Sequence, residues 1–165
     1  SKMFLAGIAG VGVPFFSEER ARQERERALA AARASAQLVV EGQEEGELQH
    51  AKMGRYELME GKIVNGRGVW QRKEGKEGQK DGYLYYGSNQ EWYIGSKDSM
   101  EAGKAAGWVR SAAGATAWSP DKAPAGEWQL SDGKGTWPKA PKVGARAVEA
   151  EEWAAMAARE EGRQR

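Results

Sequence analysis

The chain has 165 residues, with 25 basic and 24 acidic side chains and a formal charge of +1, so its length allows one ordinary domain rather than two. It has no Cys and a single His, His50, which excludes disulfides, a thiol nucleophile, a Cys- or His-caged metal and a pair of catalytic histidines. The balanced charge leaves no broad basic footprint for a nucleic-acid backbone, and no nucleic-acid partner is expected.

Glycine, at 22 residues, is about twice its usual share of roughly 7%. Six of the seven Trp and all five Tyr lie between Tyr56 and Trp137. The chain therefore reads as three parts. Residues 1–53 are an N-terminal arm, 54–143 an aromatic β-module and 144–165 a C-terminal helix. The expected fold is mostly β, a small antiparallel meander or partly open barrel, with an α-helical arm at each end. A module of this size buries a modest fraction of its surface, and aromatic side chains compensate because each buries roughly 150–250 Å².

The first element is the uncharged run from Met3 to Phe16. At this length it is too short to span a bilayer, which takes about 20 residues. Gly7, Gly10, Gly12 and Pro14 weaken helix, so strand or coil packed on the module or on a partner is expected. A contact with a membrane surface through 3–16, or the remnant of a cleaved targeting segment, also fits. Gly10-x-Gly12 lacks the third glycine of a dinucleotide fingerprint. Phe4, Leu5, Ile8, Phe15 and Phe16 are the candidate partner-binding residues here.

Ser17-Glu18-Glu19-Arg20 predicts a helix start, with Ser17 as N-cap, acids in the first turn and Phe16 as staple. The helix is expected to run to about Val40, supported by Glu–Arg pairs at three- and four-residue spacing. Its apolar face is thin, which suits a solvated or partner-bridging helix. Glu41 to Glu47 reads as an acidic, Gly-broken linker without the alternating ligand pattern of a Ca²⁺ loop.

In the aromatic segment, β-rich runs alternate with turn signals. Strands are expected at 55–59, 62–64 and 68–72, then at Tyr83–Tyr86 and Trp92–Ile94, and finally around Trp108–Arg110 and Trp128–Leu130. Asn65-Gly66 is a tight-turn pair. Turns are also expected at Gly87–Gln90 and Asp132-Gly133, and a short helical turn within Ser99–Ala106. The charged loop 73–81 mixes signs and is a poor phosphate site. Alternation puts Tyr86 and Tyr93 on the face opposite their neighbours, where they are candidate exposed partner contacts.

The order Gly54-x-Tyr56-x-Leu58, Val64-Asn65-Gly66-Arg67-x-Val69-Trp70, Tyr83-Leu84-Tyr85-Tyr86, Trp92-Tyr93-Ile94, then Trp108, Pro120, Trp128 and Trp137 resembles a small β-module found in algal and other eukaryotic proteins. The resemblance covers about 54–143. One departure is Gly68, where that module has Pro. It implies a β-rich interaction module with no catalytic residues to carry over. The Ala-, Gly- and Arg-rich arms resemble those of accessory subunits of algal plastid supercomplexes, which implies a peripheral chloroplast thylakoid location at a photosystem I–light-harvesting complex. Another organellar membrane complex is the alternative.

In the C-terminal arm, Val148, Trp153, Met156 and Ala157 form a narrow stripe on a helix of Ala, Glu and Arg. Trp153 and Met156 are the candidate anchors to a partner, with packing of Trp153 back onto the module as the competing reading. No residue set nominates a catalytic, cofactor or metal site. His50 reads as a surface residue, and paired carboxylates occur only on solvated arms, where nothing raises a pKa. The expectation is a non-enzymatic accessory or linker subunit that binds protein subunits of a larger, membrane-bound assembly. The alternative is a soluble carbohydrate- or peptide-binding module that stacks ligands on exposed Trp and Tyr such as Trp92 and Trp108.

Overall fold

A computed structural model describes residues 6–74, 81–112 and 116–164, with side chains from Ser17 to Arg163. Helix α1 spans Ala6–Ala34. Eight strands follow: β1 (Gln37–Glu41), β2 (Gly54–Val64), β3 (Arg67–Arg72), β4 (Tyr83–Tyr86), β5 (Trp92–Gly95), β6 (Val109–Arg110), β7 (Gln129–Leu130) and β8 (Gly144–Ala147). Helix α2 (Lys97–Ala102) lies between β5 and β6, and α3 (Ala150–Gln164) closes the described chain. All strands form one antiparallel sheet in the order β7-β6-β5-β4-β3-β2-β1-β8, curled into a half-barrel. The mostly β class with helices at both ends is therefore as the composition indicates.

Two elements depart from the sequence pattern. The helix expected to reach Val40 stops at Ala34, and Leu38-Val39-Val40 become a buried central strand. Two adjacent β-branched residues favour the pleated form, and the sheet supplies partners on both edges, with Leu38 opposite Tyr56 on one side and Ala147 on the other. Gly144–Ala147, expected as helix, is instead β8, so the sheet takes strands from both sides of the 54–143 segment. At its other end α1 continues past Ser17 to Ala6, so this stretch is helix in place of the strand or coil expected from its glycines. Ser17 is thus a mid-helix residue rather than a cap, because extending an existing helix costs far less than nucleating one. The staple expected of Phe16 rests on a side chain outside the described ones.

The predicted turns form as their chemistry requires. Asn65 and Gly66 both take positive φ, 51° and 80°, the left-handed pair that joins β2 to β3. The helical turn expected within Ser99–Ala106 is α2, which starts and ends earlier: Ser96 caps it by accepting from the Ser99 N–H at 3.1 Å, and Gly103 ends it at φ 65°. Between Leu58 and Ile63 the β2–β3 register shifts, and Gly61 takes φ 83° there, a bulge of the sort that re-aims a strand.

Alternation sorts the core into two layers. On one face the row Leu58, Trp70, Leu84, Ile94, Val109 and Leu130 runs from β2 to β7 through directly opposed pairs. Trp92 packs edge-on to Trp70 at 5.8 Å and beside Tyr86 at 5.0 Å. Ala32 of α1 and Trp128 complete this layer. On the other face Val69, Tyr83, Tyr85 and Tyr93 pack under Met100 of α2, with Trp137 against Tyr93. Strands β4 and β5 are buried on both faces.

Candidate interaction surface

Among its described side chains, helix α1 touches the sheet mainly through its C-terminal half. Ala28 and Ala32 are fully buried, and the indole N–H of Trp70 donates to the Ser35 carbonyl at 2.9 Å. Arg33 pairs with Glu60, its Nε donating at 2.7 Å, and Arg25 reaches the Gly61 carbonyl at 3.4 Å. From Ser17 to Arg27 every residue is exposed apart from a half-buried Glu19. This stretch is held by its own ion pairs, Arg22 with Glu19 and with Glu26 at 3.2 Å, and by Gln23 donating to Glu19 at 3.1 Å. Such pairs support a solvated helix. The helix then continues to Ala6, so the chain's uncharged N-terminal stretch begins beyond a solvated stalk.

At the base of the stalk two arginines share one indole. The guanidinium carbon of Arg27 lies 4.3 Å from the Trp118 ring centre and that of Arg67 lies 3.7 Å from it. Arg67 also sits 4.7 Å over Tyr86. Its N–H groups donate to the carbonyls of Ala117 at 3.3 Å, Gly66 at 3.2 Å and Thr116 at 3.4 Å. Burial pulls the Arg67 pKa below its ordinary value, and the neighbouring charge of Arg27 acts in the same direction. Arg27 has no ion pair with any described residue. The sequence reading singled out neither Arg27 nor Trp118. The one signal available was a lone large aromatic directly after the small-residue run 111–117.

The same device recurs around the module. Lys52 sits 3.7 Å over Trp108, Arg110 4.2 Å over Trp137 and Arg55 4.9 Å over Trp153. Significant cation–π pairs occur roughly once per 70–80 residues, so the chain is rich in them. Each half-buried indole among these carries a cation on its ring, which works against a bare sugar-stacking platform. Trp92 and Trp128 are buried outright.

The candidate residues separate clearly. Tyr86 and Tyr93 are buried, not exposed. Period-2 alternation does put each on the face opposite its strand neighbours, but both faces of β4 and β5 are covered, so neither side chain reaches the surface. Trp153 and Met156 are half-buried on α3 and face back toward the sheet. Helix α3 is held by polar contacts: Arg146 bonds Glu41 at 2.6 Å and Glu152 at 2.5 Å, and Arg163 lies 3.8 Å from Glu74. Hydrogen bonds to Arg146 hold the Glu152 carboxyl below its usual range. Phe4 and Leu5 lie outside the described residues. Ile8, Phe15 and Phe16 fall on the helical backbone of α1, with their side chains outside the description.

Helix α3 and the β1–β2 end flank an open cleft of about 600 Å³, lined by Val40, His50, Met53, Glu74, Met156 and Arg163 among others. His50 is exposed on a single 3-10 turn, His50–Lys52. Among the described residues no group of three or more His or acidic side chains is arranged to hold a metal ion. No described helix is long and apolar enough to cross a membrane.

No protein-family model matches the chain, no curated protein matches it and no solved structure matches it. The likeness of 54–143 to small algal β-modules thus rests on its motif string alone.

Proposed function

We propose that this chain is a non-catalytic accessory subunit, in which the curled sheet is a rigid base and α1 is the arm that engages a larger protein assembly. The observation that carries this reading is the solvated stalk Ser17–Arg27, which leads the helix away from its own core toward the least charged part of the sequence. A helix with so little buried face draws its stability from elsewhere. The single histidine lies on an exposed turn, and the aromatics serve the core or carry cations, which suits work by contact rather than by chemistry.

The assembly to examine first is a photosystem I–light-harvesting complex of an algal thylakoid, on the strength of the arm composition. The chain would be peripheral there. The test is co-sedimentation of the tagged chain with solubilised thylakoid complexes, full-length against a variant lacking residues 1–16. The full chain is expected in the supercomplex fraction and the shortened one in the free fraction. Full-length protein found only in the free fraction overturns the assembly, and equal retention of both forms overturns the role of the arm.

A further inference from the structure

We propose that the Arg27–Trp118–Arg67 cluster is a receptor for carboxylates on an acidic segment of a protein partner. This rests on the reading above for the kind of partner, and it names the chemistry of the contact. Arg22, Arg33, Arg55, Arg110 and Arg146 each have a carboxylate within ion-pair distance. Among the described residues Arg27 and Arg67 have none; Arg20, Arg25 and Arg159 also lack one, but only Arg27 and Arg67 share one ring.

Arg67 is held by three carbonyls, which fix its position without neutralising its charge. Arg27 is exposed, makes no hydrogen bond to any described residue and is oriented only by the indole. Stacking on the indole leaves the in-plane N–H groups of Arg27 free for a planar, bidentate acceptor, and Arg67 adds its charge beside them. Because the ring already orders both side chains, less rotamer entropy remains to be lost on binding. Trp, Tyr and Arg grouped in this way are the composition of an interface hot spot.

The neighbouring charge selects among anions. Glu24 lies one helical turn from Arg27, and its charge acts on Arg67. That carboxylate repels a doubly charged phosphate more than a singly charged carboxylate. The cluster also sits where α1 leaves the sheet, so a segment lying along the stalk would meet both arginines.

The test is fluorescence anisotropy of a fluorescein-labelled hexaglutamate peptide with the intact chain at low ionic strength. Arg27→Ala is the test variant, and Arg20→Ala, another exposed arginine on the same helix, is the control. Removing one charge-assisted bidentate contact should weaken binding about tenfold in Arg27→Ala, with Arg20→Ala within about twofold of the parent. Circular dichroism checks that both variants keep the parental helix content. Equal weakening by the two variants overturns the proposal, because it marks general attraction to the stalk. So does displacement of the peptide by equimolar inorganic phosphate, or absence of binding. Since the isolated chain is measured, peptide binding without co-sedimentation would sink the assembly and keep this site. Co-sedimentation without peptide binding would do the reverse.

Discussion

The β-carbon that Gly68 lacks would sit 2.7 Å from the β-carbon of Ala32. Helix α1 therefore lies on β3 at a distance that leaves no room for a β-carbon at position 68 opposite Ala32. Both atoms attach directly to backbone, so neither can swing away.

Gly68→Ala should overpack this crossing and destabilise the fold by about 1–3 kcal/mol, read as a lower urea midpoint. Ala32→Gly in the same chain should return part of that loss, because the two sites share one contact. Additive losses in the double variant would show that the crossing does not limit the approach.

Alkaline pH should unfold the protein through its buried tyrosines. Burial pushes Tyr85 up to about 12 and raises Tyr56 as well. The Tyr85 hydroxyl lies 2.6 Å from the Ala106 carbonyl, and Tyr56 donates to Lys52 at 2.6 Å. In the unfolded chain both ionise near 10. A raised folded pKa on an acidic group gives stability that is fully present below about pH 10 and is lost as pH climbs through the folded values. Urea midpoints should therefore be flat at neutral pH and fall above about pH 10. A midpoint steady to pH 12 would show that these hydroxyls ionise freely in the fold.

Trp70→Phe should cost more than its lost area. The ring sits in the middle of the main core row, and its N–H satisfies the Ser35 carbonyl. Leaving a buried acceptor without its donor costs about 1–3 kcal/mol, beyond the packing term. Chemical denaturation measures the sum, and amide exchange around Ser35 should rise locally. An unchanged exchange rate there would assign the whole loss to packing.

Helix α3 should be the first described helix to release. It has no fully buried side chain, and Arg163–Glu74, Arg146–Glu152 and Arg55–Trp153 hold it. Exposed ion pairs weaken with salt. Trypsin should cut at Arg159 and Arg163 before other sites, faster at high ionic strength. Trp153→Ala, which removes about 0.5–2 kcal/mol of cation–π contact, should accelerate cleavage further. Salt-independent cleavage would mean that apolar contact, from Met156 in particular, holds the helix.

Local chemistry made much of the fold legible. Asn65-Gly66 and Asp132-Gly133 act through a few neighbouring atoms, and each forms as its residue type requires; the caps Ser96 and Gly103 carry the same kind of local signal, which the expected start at Ser99 passed over. Leu38-Val39-Val40 was harder, because a helix of Ala and Arg runs directly into it and no turn signal intervenes. The edge that makes it a strand, β2 together with β8 from more than a hundred residues away, is not local information. The Arg27–Trp118–Arg67 cluster was invisible for the same reason. Its three members come from a helix, a strand and a loop, and none is unusual in its own neighbourhood.

Residue order alone determined that this is a Cys-free, single-His, mostly β chain with helices at its ends, because alternation and turn chemistry act within a few residues. Tertiary structure alone decided which aromatic rings see solvent. Alternation says that Tyr86 and Tyr93 each point to the face opposite their strand neighbours; it cannot say that Met100 and Trp137 cover one face while Trp92 and Trp70 fill the other. Burial depends on what packs from elsewhere in the chain, and that is a property of the whole fold.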